Sequence, residues 1–266
     1  MKMNNNLGFG MAIGIAIGSA IGVALDNIGT WLAIGIALGA GIGNRLNKMN
    51  DKVESVTKDL PPMGPQDFSE IEDWPGYFKS VLGKPARDTT LTALDNFEKE
   101  GFHQGFAIDL AAGEGRDSLE LLRRNWRVLA TDNQPEAFPL LWARVPEESK
   151  AQLTTKVVSF NDMEFPDNDM VNASFALPFC EPEHFDALWN KIVTSIRSGG
   201  RFAGQFFGDR DTWASLPNRS HHSHEDIEQL LDGFTIEMIR EEERDDAPTL
   251  RNPKHWQIFH VVAKKN

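Results

Sequence analysis

Residues 107–132 leave few choices of fold. They read AIDLAAGEGRDS, then a short amphipathic stretch, then RVLATD. The apolar run at 106–110, interrupted only by Asp109, predicts a strand. Gly113 and Gly115 allow a tight turn and let the backbone approach a ligand closely. Asp117 or Ser118 then opens a helix through Leu119, Leu121 and Leu122. A second strand over 127–131 carries Asp132 at its C-terminal end. An acid about twenty residues past such glycines suits the two hydroxyls of a ribose. An ordinary βαβ unit with a tight turn is the plainer reading, and the strand-end acid at this spacing argues against it. A dinucleotide site wants a third glycine where the helix packs on the strand. Here the pattern is Asp109-x-Ala111-x-Gly113-x-Gly115, and Glu114 inside the turn is expected to repel a pyrophosphate. A nucleoside cofactor without phosphate fits better.

The segment from Asp109 to Ser118 resembles motif I of class I S-adenosylmethionine (SAM)-dependent methyltransferases. It is most similar to the small-molecule branch that includes tellurite-resistance and thiopurine methyltransferases, and the resemblance covers about residues 67–264. One departure is that the family's first motif glycine is Ala111 here. The resemblance implies an α/β fold: a Rossmann-like, seven-stranded sheet with helices on both faces. It implies SAM as cofactor, met by Asp109, Ala111, Gly113, Gly115, Arg116, Asp132 and Asn133. By the same resemblance, Asp162 accepts from the adenine amine, Met163 packs on the ring, and Asn172 belongs to the cofactor site. In the family an N-terminal helix closes over the cofactor. Trp74, Tyr77, Phe78 and Arg87 precede the first strand, and Tyr77 or Arg87 would meet the methionine carboxylate. The alternative is that the three rings simply pack the cap. Residues 172–179, NASFALPF, resemble motif IV, so Asn172, Ser174 and Phe175 are candidates for the floor beneath the transferable methyl.

Further along, helices are expected over 135–144, 183–197 and 225–231, and strands over 156–160, 170–175 and 201–207. Ser198, Gly199 and Gly200 read as a helix C-cap. Two last strands are expected over 234–241 and 256–263, and the resemblance implies that they form an antiparallel hairpin at the sheet edge. The loop after residue 207 lies at the sheet's carboxyl edge, where Arg210 could draw in an anionic substrate or join a surface ion-pair cluster. His221, His222 and His224 invite a metal reading, but Ser223 and Asp226 are better explained as an N-cap with its acid, and no metal is expected.

The formal net charge of −12 argues against a nucleic-acid partner, which would want clustered Lys and Arg. The single cysteine, Cys180, excludes an intramolecular disulfide and a Cys-based zinc cluster.

Residues 7–46 are built differently. Gly10, Gly14, Gly18 and Gly22 recur every fourth residue, with alanine and isoleucine or leucine stripes beside them. After a turn at 26–29, Gly35, Gly39 and Gly43 repeat the spacing. Such a helix is poor in water, where each glycine costs about 1 kcal/mol relative to alanine. In lipid, small-xxx-small faces let helices pack. The pattern resembles glycine-zipper membrane hairpins, and glycine faces could also support a homo-oligomer. Lys2 before it and Arg45, Lys48 and Lys52 after it place both ends on the cytoplasmic side of the inner or plasma membrane. A signal peptide, an interfacial hairpin and a tail without membrane role are the competing readings. Three regions result: a hairpin over 1–46, a Pro- and Gly-containing linker over 47–66, and a methyltransferase-like domain over 67–266.

The expected function is SAM-dependent methyl transfer to a small-molecule acceptor by a membrane-tethered enzyme. A soft sulfur, selenium or tellurium atom, or an anionic nucleophile, would need no general base. The alternative is a membrane-organising glycine-zipper protein whose soluble domain binds SAM or a related nucleoside without turnover.

Overall fold

The structure is a computed structural model, and it describes residues 73–246 and 254–266 together with Ala37. The chain divides into two units, Met1–Leu60 and Pro61–Asn266. In the first, Ala37 is helical and exposed. The hairpin expected over 7–46 otherwise lies outside the described residues, as does the linker over 47–66. Among the described residues no helix is long and apolar enough to cross a membrane.

The second unit begins with helices α1 (Trp74–Val81) and α2 (Asp88–Lys99). There follow β1 (Phe106–Leu110), α3 (Arg116–Arg123), β2 (Arg127–Asp132), α4 (Ala137–Trp142), β3 (Leu153–Val157) and β4 (Asn168–Ala173). The chain closes with α5 (Pro182–Ser195), β5 (Ile196–Phe207), α6 (His224–Leu230), β6 (Phe234–Asp245) and β7 (His255–Lys265). The seven strands run in the order β3-β2-β1-β4-β5-β7-β6. β1 to β5 are parallel, and β7 is antiparallel to both β5 and β6. Strand order reverses between β1 and β4. In open α/β sheets, ligands bind at the carboxyl ends of the strands at such a switch point.

The central strands are apolar on both sides because helices cover both faces. One core gathers Ile108, Val171, Phe202, Phe206 and Val261 under Trp189 and Ile192 of α5. The other gathers Ala107, Val128, Met170 and Val262 under Leu94 and Phe97 of α2 and Leu121 of α3. α3 stops where Asn125 takes a left-handed φ of 61°. The amides of Asn125 and Trp126 then donate back to the carbonyls of Leu122 and Leu121, each at 3.0 Å. This is a Schellman closure, and it delivers Trp126 into the second core.

Several expected boundaries shift. The third strand is Leu153–Val157, not 156–160, because its partner β2 ends at Asp132 opposite Val157. The 135–144 helix shortens to Ala137–Trp142, and the fourth strand begins at Asn168. Ser198, Gly199 and Gly200 are no helix cap. α5 ends at Ser195, and Ile196 is already extended and paired with Asn168. The glycines instead fill an irregularity in the ladder before Arg201 pairs with Met170. A Cβ at Gly200 would lie 2.7 Å from the Asp169 carbonyl oxygen, so the strands close only over glycine. The final hairpin is longer than expected, covering Phe234–Asp245 and His255–Lys265. The capping box at α6 is as read from sequence: Asp226 N donates to Ser223 Oγ at 3.1 Å, and Ser223 N donates to Asp226 Oδ2 at 2.8 Å.

Candidate cofactor and acceptor site

The glycine turn links β1 to α3 through three left-handed residues: Ala111 (φ 52°), Gly113 (φ 56°) and Gly115 (φ 86°). Left-handed backbone costs an L-residue about 1–2 kcal/mol, so Ala111 holds its place under strain. The turn is clamped on two sides. A Cβ on Gly113 would sit 3.2 Å from the Phe78 ring of α1, and one on Gly115 would sit 2.5 Å from the Leu141 side chain of α4. The N-terminal helix α1 therefore rests on the turn. Trp74 and Phe78, two of its three rings, also pack against each other at 6.3 Å.

Asp132 is where the motif requires it. Its Oδ2 accepts from Gly113 N and its Oδ1 from Gln134 N, both at 2.8 Å. Each oxygen keeps a second lone pair for a ligand hydroxyl. Burial holds its pKa above the ordinary carboxylate value. Asn133 beside it is exposed and accepts from Gln134 Nε2 at 3.2 Å.

Asp109 is the penultimate residue of β1 and is 1% exposed. Ser118 Oγ donates to it at 2.5 Å and Asn172 Nδ2 at 2.8 Å. The same Asn172 amide reaches Asp117 at 3.3 Å, while its carbonyl oxygen accepts from Thr90 Oγ1 at 2.9 Å and Ser174 Oγ at 3.4 Å. Burial first, and then the neighbouring Asp117 charge, push Asp109 up to about 7. Arg87, at the start of α2, donates its backbone N–H to Asp117 Oδ1 at 2.7 Å. Its guanidinium lies 4.4 Å over the ring of Phe175. Burial, followed by the nearby Arg116, lowers the Arg87 pKa, with Tyr77 and Asp117 opposing. Arg116 Nη2 is buried without a hydrogen-bond partner among the described residues.

Phe175 follows β4 with a φ of 54°, an uncommon conformation for a bulky residue. Its N–H donates to Gln205 Oε1 at 2.9 Å, and Gln205 Nε2 donates to Thr89 at 3.0 Å. These bonds fix the motif IV loop against β5 and α2. The sequence reading named Phe78 as a ring of the cap but passed over Asp117, Thr90 and Gln205 as parts of this frame. Asp117 alone carried a signal, as an acid inside the motif.

Other expected residues lie elsewhere or are otherwise engaged. Met163 is 1% exposed within the first core, and Asp162 is exposed, accepting from Ser159 Oγ at 2.8 Å. Glu114 does not project its charge into the turn: it is buried against Arg144, with Arg116 Nε at 3.5 Å. Its expected repulsion of a pyrophosphate therefore falls away, and only the missing third glycine still speaks against a dinucleotide. Arg210 is paired with Glu241 at 2.7 Å and Glu243 at 2.9 Å, the ion-pair cluster rather than a free anion lure. His222 packs 4.3 Å from the Phe185 ring, and burial pushes it down to about 4.

Strand order, glycine turn, strand-end acid and motif IV loop together define a class I methyltransferase fold. A family model described as a methyltransferase domain matches residues 107–200. A second family, described as a glycine zipper membrane protein, matches residues 1–48. Among solved structures, TehB from Haemophilus influenzae is similar with a TM-score of 0.56 at 15% identity, covering 72% of this chain and 66% of its own, just under two thirds. The 1,6-didemethyltoxoflavin-N1-methyltransferase of Burkholderia thailandensis, solved with S-adenosylhomocysteine, has a TM-score of 0.53 at 17% identity, over 78% of this chain and 93% of that one. The N-methyltransferase NodS from Bradyrhizobium japonicum WM9 has a TM-score of 0.50 at 10% identity, over 66% and 92%. At these identities the likeness establishes the fold. No curated protein matches the chain.

Proposed function

We propose that this protein is a SAM-dependent methyltransferase for a small-molecule acceptor, held at the cytoplasmic face of a membrane by residues 7–46. The observation that carries the reading is the joining of Asp132, the glycine turn, Asp109 and Asn172 at one sheet edge. The residues present fit the cofactor. Asp132 offers acceptors to the ribose hydroxyls. The buried, unpartnered Arg116 Nη2, with Arg87 nearby, suits the carboxylate. An ionised Asp109 favours the cationic end.

SAM supplies an electrophilic methyl on a sulfonium, so the protein mainly positions the reactants and excludes water. Ser174 and Phe175, both partly exposed, form the floor under the acceptor, while the fully buried Asn172 holds Asp109 from behind rather than meeting the methyl as expected. A soft sulfur, selenium or tellurium nucleophile fits this frame, because it attacks without a general base.

Calorimetric titration of the full chain, in detergent, with SAM tests the reading; a folded protein that takes up no SAM overturns it. The titration should depend on pH. Asp109 must be ionised to favour a cation, and its pKa is about 7. Affinity should rise about tenfold between pH 6 and 8. Stability without cofactor should move the other way. A carboxyl with a raised native pKa contributes stability that is fully present below its ordinary pKa near 4 and is lost as pH rises through about 7.

Membrane attachment rests on the glycine-zipper match and the flanking charges. The full chain should sediment with membranes and resist alkaline extraction, whereas a chain starting at residue 47 should not. Equal behaviour of the two would remove the tether.

A further inference from the structure

Lys254 stands just before β7 and is 6% exposed. Its ammonium lies 3.3 Å from the ring centroid of Trp256 and 4.3 Å from those of Phe207 and Trp213. The three rings form a nearly equilateral box, with centroids 5.8 to 5.9 Å apart. Asp211 closes it, with its carboxylate oxygens 2.6 and 2.7 Å from the ammonium. Three π faces and one carboxylate around a nitrogen form a site selective for organic cations.

Two further features suit the box to a ligand. Asp211 does not depend on Lys254 for its position: Trp213 N donates to it at 2.9 Å and Gln257 N at 3.1 Å. Two of the rings carry a second cation contact, Arg219 at 5.7 Å from Trp213 and Arg244 at 5.1 Å from Trp256. The frame is therefore built independently of its occupant. Its place is also telling. Phe207 ends β5 at the carboxyl edge of the sheet, and its ring lies 6.3 Å from that of Phe175 on the motif IV floor.

We propose that the box of Phe207, Trp213 and Trp256 closed by Asp211 is an alkylammonium site that takes the cationic end of the methyl acceptor, with Lys254 occupying it until the acceptor arrives. The role for an acceptor rests on the methyltransferase reading above. Lys254 then acts as an internal competitor, which an acceptor carrying a methylated ammonium displaces because that cation is less strongly hydrated than a lysine ammonium and costs less to bring between the rings.

The test titrates choline, and its neutral isostere 3,3-dimethylbutan-1-ol, into the full chain in detergent, following tryptophan fluorescence. Lys254→Ala should bind choline at least tenfold more tightly than the unaltered chain and ignore the alcohol. Adding Trp256→Leu should reverse that gain. Equal response to choline and the alcohol, or no saturation with choline, overturns the proposal. Should Lys254→Ala fail to fold, the same comparison on the unaltered chain at high choline concentration decides between the two outcomes. SAM is titrated into the same samples. SAM binding without choline binding removes the box and leaves the methyltransferase reading. Choline binding without SAM binding removes the acceptor role.

Discussion

Replacing Asn172 by leucine should destabilise the domain by about 3–5 kcal/mol, the size expected when a buried charged network loses a partner. The Asn172 amide lies between Asp109 and Asp117, and its carbonyl oxygen receives Thr90 and Ser174. Asn172, Asp109, Asp117 and Thr90 are all buried. Leucine is larger than asparagine, so the cost is not a cavity. It is two carboxylates left without their shared donor and a threonine hydroxyl left without its acceptor. Urea unfolding at pH 8 measures it. The loss should shrink at pH 5, where Asp109 is protonated in the native state and needs less compensation. A change below about 1 kcal/mol would mean the network contributes little.

Asp132→Ala should weaken SAM binding by about 100-fold or more while leaving the fold in place. A hydrogen bond to a charged group is worth about 1.5–3 kcal/mol, and a ribose presents two hydroxyls. The variant also loses the acceptors for Gly113 N and Gln134 N, so the turn itself loosens. Asp132→Asn keeps one acceptor oxygen and should fall between the two. Calorimetry on all three proteins decides it, and an unchanged affinity in Asp132→Ala would detach this acid from the ribose.

Much of this arrangement was legible in local sequence, because the signals were local. The turn after the first strand needs residues that tolerate positive φ, and the acid at the end of the second strand lies at a spacing set by one helix. The third strand was misplaced because it is an edge strand with one buried side chain, Leu153, so its pattern carries little information. Gly199 and Gly200 imitate a helix cap, since both a cap and a strand irregularity want residues without a Cβ. The bonds from Thr90 to Asn172 and from Gln205 to Phe175 join residues 82 and 30 positions apart, and polar residues give no sign of such partners before the sheet exists. The cation box was invisible for the same reason. Its loop and the start of the last strand were read separately, and only the antiparallel pairing of β5 with β7 brings Trp256 beside Phe207.

The outer strand β6 has a consequence for crowding. Strands at the margin of a sheet can template pairing with another copy unless charge discourages it. β6 presents Arg240, Glu241, Glu242, Glu243 and Arg244 in succession, the glutamates engaged by Arg210, His255 and His260 and the two arginines by Glu242. Confined to a surface, as the proposed tether would confine it, each copy meets its neighbours at a much higher effective concentration than in bulk. A second molecule approaching that margin meets dense charge, and joining it there would require stripping water from those groups. Under the proposed tether, that charged margin would keep neighbouring sheets from zipping together.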